Sequence, residues 1–471
     1  MDDSSASLSP AMIDALAPRL RGTVERPGTP GYEAARTVWN AMVDRRPAAI
    51  ARPLGVADVQ ACVRFAREAG VPLAIKGGGH NIAGLGVCDG GLLLDMSAMR
   101  GVWVDREAAL ARAQAGCLLG DVDRETQLHG LAAVLGFVSM TGIAGLTLGG
   151  GFGYLTRKYG WTVDNVTGME LVTADGRIVR ASEREEPDLF WALCGGGGNF
   201  GVVTGIDYRL YPLGPEIVAG AVAWPGESAE PVMEMFQRVA GAAPPELACV
   251  LILRIAPPAP WLPKEIHGKP VAVMVACHAG AVAEGESLVA PIKSFGQPAG
   301  DVLQRRPYTV QQSLLDATQP KGRRYYWKSE YLPALEPAAL AAALPHFARL
   351  PSPHGAIIFF QLGEGVARFP DDHNATGNRD ARWVLNITAA WEKADDDAAN
   401  VGWARETWSD LRRFSTGGTY LNFLNADDGD DRVRAAYGAN LDRLAAVKAR
   451  WDPENFFRVN KNIAPRGAAA G

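Results

Sequence analysis

The chain contains no long apolar segment and no concentration of positive charge. None of its apolar runs approaches the roughly 20 residues that a membrane-spanning helix requires. The first residues, MDDSSASLSPAMIDAL, are acidic and lack the basic and apolar regions of a secretory signal. Lys and Arg are scattered and the net charge is −5 at pH 7, so no basic face for nucleic acid is expected. We therefore expect a cytoplasmic protein with neither a membrane nor a nucleic-acid partner.

Cysteine and histidine are also scarce, with six and seven copies in 471 residues. The cysteines are widely spaced and form no CxxC pair, which argues against a disulfide framework and indicates small buried apolar side chains. No HExxH string is present and the remaining histidines lack ligand spacing, so no metal site is expected. The absence of GxSxG likewise leaves a serine nucleophile without support.

Glycine, in contrast, occurs 53 times, and three clusters fall in the first 212 residues: KGGGHNIAG (76–84), GIAGLTLGGGFG (142–153) and CGGGGNFG (194–201). None matches a P-loop, and GLGVCDG has too few glycines for a Rossmann fingerprint. Successive glycines allow several backbone N–H groups to point into one concavity, which holds a pyrophosphate without side-chain charge. The clusters favour a large anionic cofactor, although each one taken alone is also compatible with a tight turn.

Periodicity predicts a mixed arrangement of helices and strands. Val56, Val59 and Val63 have helical spacing, Gly70 ends that helix, and residues 71–75 form a strand that runs into the first glycine cluster. Asp175-Gly176 marks a hairpin turn. Near residues 212–216 the composition changes to Pro- and Ala-rich helices that alternate with strands. The sequence therefore predicts an α+β protein with a domain boundary at that point.

Four segments then match one family, in order and at suitable distances. They are KGGGHNIAG, GIAGLTLGGGFGYLTRKYGWTVDN, DLFWALCGGGGNFGVVTGIDYRL and YGANLDRLAAVKARWDPENFFRVNKNIAP. The chain resembles the berberine bridge enzyme-like flavoproteins of the vanillyl alcohol oxidase/p-cresol methylhydroxylase (PCMH) superfamily. The resemblance implies a PCMH-type FAD-binding domain of two α/β subdomains (1–213) and a substrate domain with an antiparallel sheet flanked by helices (214–447). It also implies a C-terminal segment (448–471) that returns to the FAD domain.

The resemblance implies a bound FAD, linked through a ring nitrogen of His80 to the 8α carbon of the isoalloxazine. A neutral imidazole is a competent nucleophile at physiological pH, whereas a lysine would be mostly protonated. Many members form a second bond from a cysteine, but Val138 stands at that position here, so a single covalent link is predicted. The residues expected to bind FAD are Lys76, Gly77, Gly78, Gly79, His80, Asn81, Ala83, Thr141, Gly142, Gly145, Thr147, Gly150, Gly151, Gly201, Val203, Asn460 and Asn462.

The catalytic residues are less well defined by the resemblance. The family's YxNYxD string stands here as YLNFLN (420–425), so Phe423 and Asn425 depart from the pattern. Tyr420 and Asn422 remain as candidate catalytic residues. Tyr420 would act as a base only if a nearby cation lowered its pKa, and the alternative is a strand tyrosine packed in the core. The side chains expected to face the substrate are Tyr326, Lys328, Gln361 and Trp391.

The activity implied by the resemblance is that of an FAD-dependent oxidase. It would transfer hydride from a small organic substrate, such as an alcohol, a sugar or a secondary metabolite, to FAD and then to O₂, giving H₂O₂. Oxidation of an amine C–N bond is an alternative, because a neutral amine needs no strong base. A flavin- or ligand-binding protein that has lost catalysis is the alternative from another class. No particular oligomeric state is predicted.

Overall fold

The computed structural model describes residues 8–467. Residues 1–7 of the predicted FAD domain and 468–471 of the predicted C-terminal segment lie outside the described residues. In the described range, no helix has the length and apolar character needed to cross a membrane. The α-helices are α1 (Pro10–Leu16), α2 (Tyr32–Arg36), α3 (Val56–Glu68), α4 (Leu119–Gln127), α5 (Ile143–Leu148), α6 (Thr156–Tyr159), α7 (Pro187–Leu193), α8 (Ala229–Ala242), α9 (Val282–Lys293), α10 (Tyr308–Gln312), α11 (Pro337–Phe347), α12 (Glu364–Ala367), α13 (Asp397–Leu411), α14 (Asp430–Tyr437) and α15 (Leu441–Trp451).

The strands fall into two groups along the chain. The first group is β1 (Thr23–Glu25), β2 (Ala49–Arg52), β3 (Leu73–Lys76), β4 (Leu92–Asp95), β5 (Val102–Asp105), β6 (Leu110–Gln114), β7 (Leu131–Ala132), β8 (Val166–Val172), β9 (Ile178–Ala181), β10 (Val202–Arg209) and β11 (Tyr211–Pro212). The second is β12 (Glu216–Pro225), β13 (Leu247–Ile255), β14 (Pro270–His278), β15 (Gly300–Asp301), β16 (Gln304–Pro307), β17 (Arg324–Leu332), β18 (Ala356–Gln361) and β19 (Trp383–Trp391). The predicted boundary falls between β11 and β12, and the division into domains stays a prediction.

The first sheet delivers the first glycine cluster to the site. Its order is β1-β2-β4-β3, with β2 and β3 parallel to β4. Helix α3 connects β2 to β3 and buries Val59, Cys62 and Val63. It confirms the helix predicted from the spacing of Val56, Val59 and Val63. Because β3 ends at Lys76, the chain passes from its carboxyl end directly into Gly77.

The second sheet is antiparallel in the order β5-β6-β10-β8-β9. Strands β8 and β9 form the predicted hairpin, in which the N–H of Gly176 donates to the carbonyl of Thr173 at 2.9 Å. The third glycine cluster lies between α7 and β10, and the second overlaps α5. Both clusters therefore adjoin regular elements that hold them in place.

The third sheet contains the eight strands of the second group, paired antiparallel in the order β15-β12-β14-β13-β18-β19-β17, with β16 beside β12. Helices including α8, α11 and α13 pack on one face, where Phe236, Phe359 and Leu385 share a core. On the other face, Ile252 and Phe360 belong to the core that continues into the glycine-rich half. This arrangement confirms the predicted α+β class and the helix-flanked antiparallel sheet.

The end of the described chain packs against the third glycine cluster. Lys448 donates from Nζ to the carbonyl of Asn199 at 2.7 Å, and its ion pair with Asp452 at 2.6 Å is fully buried. The side-chain oxygen of Asn199 accepts the N–H of Ile463 at 2.9 Å. Residues after α15 are therefore held beside the glycine-rich half. All six cysteines are free and buried, as predicted.

Candidate active site

A cavity lies between the glycine-rich half and the inward face of the third sheet. We call its two sides the glycine wall (residues 77–81, 141–145, 197–201) and the sheet wall (inward side chains of β13, β17, β18 and β19). Residues 420–423 and 459–461 are also part of the lining. Among the described residues, no aspartate, glutamate or cysteine lines the cavity, and no group of His, Cys, Asp and Glu could hold a metal ion.

The glycine wall presents unpaired backbone donors. Gly79 has a φ of +71°, which reverses the chain after β3. Within the described part of the chain, none of the N–H groups of residues 78–81 donates a hydrogen bond to another protein group. These residues are half-buried, and a row of free backbone donors on a cavity wall suits a ligand with many acceptors. The pyrophosphate and polar chain of FAD fit that description.

Two glycine loops approach each other too closely for side chains. A Cβ on Gly78 would lie 2.4 Å from the backbone nitrogen of Gly142, and a Cβ on Gly142 would lie 2.3 Å from that of Gly78. Non-bonded contacts of a Cβ atom below 3.0 Å are essentially never seen in proteins. Both positions therefore require glycine. Gly145, one turn further along α5, has no atom within 4 Å of its Cβ position. The glycine wall therefore leaves open space where a cofactor is expected.

His80 is the titratable side chain of the first loop that faces the cavity. Its ring stacks on Trp39, with 5.2 Å between centroids and 16° between planes. Trp39 is itself fixed, since its indole nitrogen donates to the carbonyl of Gln319 at 3.0 Å. Burial lowers the pKa of His80 to about 4, and Lys321 acts in the same direction. The imidazole is therefore neutral at physiological pH.

The charge of Lys76 is not available to a pyrophosphate. Its ammonium donates to the carbonyl of Ala35 and forms an ion pair with Asp95 at 3.2 Å. Burial lowers its pKa, while Asp95 raises it. The residue borders the cavity, but its ammonium is held by the scaffold of the first sheet. Lys76 therefore starts the loop that borders the cavity, but its ammonium does not face the FAD pyrophosphate as predicted.

Five of the residues expected to bind FAD do not line the cavity, and two of them are bound to tyrosine hydroxyls. The hydroxyl of Thr147 shares a hydrogen bond with Tyr208 at 2.7 Å. Gly151 donates its N–H to the hydroxyl of Tyr420 at 3.1 Å. Asn462 is exposed. The five are Ala83, Thr147, Gly150, Gly151 and Asn462, whereas Gly77, Gly78, Gly79, Asn81, Thr141, Gly142, Gly145, Gly201, Val203 and Asn460 do line it.

Tyr420 and Asn422 lie together over the end of α5. Residues Leu421–Phe423 form a 3-10 turn, so the strand expected for Tyr420 is wrong. The hydroxyl of Tyr420 accepts from the Nδ2 of Asn422 at 2.8 Å, and that amide also donates to the carbonyl of Leu146 at 3.1 Å. Burial raises the pKa of Tyr420 and outweighs the two hydrogen bonds that lower it. Within residues 8–467, no cation lowers the pKa of Tyr420, so the condition for a tyrosine base is not met.

The sheet wall carries four polar residues from neighbouring strands and loops. Arg254 on β13 is aligned with Ala356 on β18, which is aligned with Thr388 on β19. Asn386 is aligned with Ile358 in the next inward row, and its side-chain oxygen is buried without a partner in the described part of the chain. His354 lies just before β18. All four border the cavity, and aromatic side chains surround them.

The four side chains expected to face the substrate lie on the opposite face of the same strands. Alternate residues of a strand point to opposite faces, so a shift of one position reverses the orientation. Trp327 and Phe360 face the cavity, whereas their neighbours do not. The polar groups of the predicted residues are bound elsewhere: Tyr326 to Asp427, Lys328 to Asp428, Gln361 to the carbonyl of Ala240, and Trp391 to Asp397.

Comparison with known proteins agrees with this geometry. Residues 47–182 match the family described as FAD binding domain, and residues 419–464 match the family described as berberine and berberine like. The (R)-6-hydroxynicotine oxidase of Paenarthrobacter nicotinovorans is 32% identical over 95% of this chain and 98% of its own. An FAD-linked oxidoreductase of Dictyostelium discoideum is 30% identical over 96% and 97%.

The chain belongs to the berberine bridge enzyme-like family. It is therefore an FAD-linked oxidoreductase, as the sequence motifs predicted. The crystal structure of 6-hydroxy-D-nicotine oxidase from Arthrobacter nicotinovorans is similar with a TM-score of 0.83 and 28% identity, covering 94% of this chain and 98% of that one. BBE-like 1 of Physcomitrella patens shares the fold at a TM-score of 0.85 and 23% identity, covering 96% and 99%.

The sequence analysis did not predict the polar residues of the sheet wall in this member of the berberine bridge enzyme-like family. Two of them leave a signal in the sequence. Arg254 is the lone charged residue of the apolar strand LACVLILRI, and Asn386 interrupts WVLNITAAW. A polar residue isolated in a buried strand requires a partner or a ligand. His354 lies in a loop, PSPHG, whose composition carries no such signal.

Proposed function

We propose that this protein is an oxidase that holds FAD by a single covalent bond to His80 and oxidises a C–H bond of a small organic substrate. The observation that carries the proposal is the neutral imidazole of His80 beside the free N–H groups of residues 78–81. FAD, when bound, supplies the hydride acceptor, and O₂ then takes the electrons to give H₂O₂. A C–H bond next to a hydroxyl group is the preferred target.

Two features support attachment at His80 alone. The ring stacks on Trp39, which restricts its orientation, and its low pKa leaves a nitrogen lone pair free. A second bond to the flavin would need a thiol. Val138 borders the cavity at the position where other members carry cysteine, and none of the six cysteines borders it.

For an alcohol substrate, His354 is the side chain best suited to take the hydroxyl proton. Its Nε2 lies 3.3 Å from a carboxylate oxygen of Glu392, and a proton on that nitrogen leaves Nδ1 as the acceptor. Burial lowers the pKa of His354 below its ordinary value of 6.5, and Arg323 and Arg254 act in the same direction. The ring is therefore neutral at physiological pH and can accept a proton without first losing one.

Oxidation of an amine is the second candidate. The similarity to (R)-6-hydroxynicotine oxidase supports it, and a neutral amine needs no base. The lining argues against a protonated amine, because the described residues place no acidic side chain in it and do place Arg254 there. We therefore rank an alcohol first.

The attachment is tested by acid precipitation of purified protein. Wild-type protein should keep its yellow colour and fluoresce on a denaturing gel, and His80→Ala should lose both. Trp39→Phe is the matched control, because it keeps an aromatic ring beside His80 and should retain covalent flavin. Fluorescence that persists in His80→Ala, or FAD released from mildly denatured wild type, would refute the attachment.

The activity is tested by anaerobic mixing with a panel of alcohols, sugars and cyclic amines. An oxidase is bleached by its substrate and recovers its colour in air with release of H₂O₂. Bleaching by alcohols or sugars supports the first candidate, and bleaching by amines alone supports the second. Flavin that stays oxidised across the panel would contradict both and favour a binding protein.

A further inference from the structure

Arg254 is a buried cation on the sheet wall that the proposed chemistry does not use. Its side chain lies near the end of β13, is only 8% exposed and borders the cavity. On β18 and β19, the residues aligned with it are Ala356 and Thr388, so no acidic side chain lies across the strand pairs. A guanidinium in such a place normally has a carboxylate partner.

Arg254 has only one hydrogen bond to the described protein. Its Nε donates to the carbonyl of Ile255 at 3.1 Å, and its two terminal nitrogens have neither a hydrogen bond nor an ion pair within residues 8–467. Arg157 is buried to the same 8%, yet its guanidinium donates to the carbonyls of Ala243 and Pro244. Arg379 forms a buried ion pair with Asp164 at 2.7 Å. Arg306, also 8% exposed, likewise has a single hydrogen bond to the described protein, to the carbonyl of Val302, but it does not border the cavity. Arg254 is therefore distinguished by terminal nitrogens without a partner in the described protein, on a residue that borders the cavity.

The surroundings of Arg254 add positive charge. Burial and, to a smaller extent, the charge of Arg323 lower the pKa of Arg254 to about 10, so the group stays protonated at neutral pH. The acidic residue beside Arg323 and His354 is Glu392, which pairs with Arg323 at 2.8 Å and with His354 at 3.3 Å. Glu392 is also largely exposed, with 57% of its side chain accessible. The cavity thus holds a cation that no described group of the protein neutralises.

We infer that the substrate carries a carboxylate, which binds the two terminal nitrogens of Arg254. This inference rests on the proposed function. Because Nε is engaged, the free edge of the guanidinium is the one between the terminal nitrogens, which can donate two parallel hydrogen bonds to a carboxylate. Asn386 and Thr388 lie on the same wall to bind polar groups beside it. Trp327 and Phe360 make the remaining surface apolar, which suits a ring or another apolar body.

The anion of FAD itself is the competing partner for Arg254. The two partners differ in position: the free N–H groups of residues 78–81 belong to the glycine wall, and Arg254 belongs to the sheet wall. Experiment also distinguishes the two partners, because replacement of a residue that binds FAD changes flavin content and reduction potential. A residue that binds a substrate carboxylate affects the preference for carboxylates over neutral isosteres.

The experiment measures dissociation constants of flavin-loaded protein for matched pairs of probes: benzoate and benzamide, and indole-3-acetate and indole-3-acetamide. Flavin absorbance and titration calorimetry are read in parallel. We expect a carboxylate to bind at least tenfold more tightly than its amide. Arg254→Met should abolish that preference, and Arg254→Lys should keep part of it. Arg157→Met is the matched control, because it removes a buried arginine outside the cavity and should leave the preference unchanged.

Three results would overturn the inference. The first is that wild-type protein binds carboxylates and amides equally tightly, and the second is that the preference for carboxylates survives in Arg254→Met. The third is that Arg254→Met changes flavin content and reduction potential but not the preference for carboxylates. The wild-type comparison needs no variant, so a misfolded Arg254→Met leaves the test intact. Protein that contains no FAD would refute the proposed function, whereas calorimetry would still report whether Arg254 selects carboxylates.

Discussion

The two walls of the cavity are built from different parts of the chain. The glycine wall uses main-chain atoms: the N–H groups of residues 78–81 and the close approach of Gly78 to Gly142. The sheet wall uses side chains such as Arg254 and Thr388, which meet only because of strand register. A wall of backbone is encoded in a few short contiguous strings. A wall of side chains is encoded by residues more than a hundred positions apart.

The walls also differ in what they offer a ligand. The glycine wall supplies hydrogen-bond donors without net charge, which fits a cofactor common to the whole family. The sheet wall supplies one unpaired cation, Arg254, and one neutral imidazole, His354. The difference assigns FAD to the glycine wall and the choice of substrate to the sheet wall. Variants that act on one wall and spare the other can test this division.

Replacement of His354 should have the largest effect on catalysis. If this side chain accepts the hydroxyl proton, His354→Ala should lower kcat/KM by about 10²- to 10⁴-fold, the usual contribution of a positioned base. Covalent flavin should be unchanged. His346 is the matched control, because it lies 2.8 Å from the carboxylate of Asp410 but does not border the cavity. His346→Ala should retain wild-type kcat/KM in steady-state assays.

The pH profile gives a second measure of the same residue. A base acts only when unprotonated, so wild-type kcat/KM should fall with decreasing pH only below 6.5, because the pKa of His354 is lowered. His354→Ala should lose that acid limb. An identical limb in the variant would assign the proton to another group and would contradict the role of His354.

The same division explains what could be predicted from the sequence. The glycine clusters, His80 and the family follow from contiguous strings, and so does the α3-β3 unit that presents the first loop. The partners of the Lys76 ammonium could not be predicted, because Asp95 and Ala35 are distant from it in the sequence. The substrate face could not be predicted either, since a shift of one residue along a strand exchanges Trp327 for Lys328.

Replacement of Gly78 tests the glycine wall. On the His80→Ala background, from which flavin can be removed, Gly78→Ala should lower the free energy of unfolding by roughly 1–3 kcal/mol, because the new Cβ overlaps backbone of Gly142. Gly145→Ala is the control with open space at its Cβ, and in α5 it should raise stability by about 0.5–1 kcal/mol. Chemical denaturation measures both, and equal effects would contradict the close approach.

Replacement of Tyr420 should affect stability more than catalysis. Tyr420→Phe removes the acceptor of the Gly151 N–H and of the Asn422 amide, which should cost about 1–2 kcal/mol in thermal or chemical unfolding. Because burial raises its pKa, kcat should fall less than tenfold. A fall of a hundredfold with unchanged stability would restore Tyr420 as the base.

The smallest effect is the one that tests strand orientation directly. Asn386 faces the cavity with its oxygen unpaired, whereas Gln361 faces away and donates to Ala240 at 2.7 Å. Asn386→Ala should therefore raise KM by about 2- to 10-fold, the value of one hydrogen bond, with little change in stability. Gln361→Ala should lower stability by about 1 kcal/mol and leave KM within about twofold of wild type. The reverse pattern would mean that the strands present their other face to the substrate, and Arg254 would then lose its place in the site.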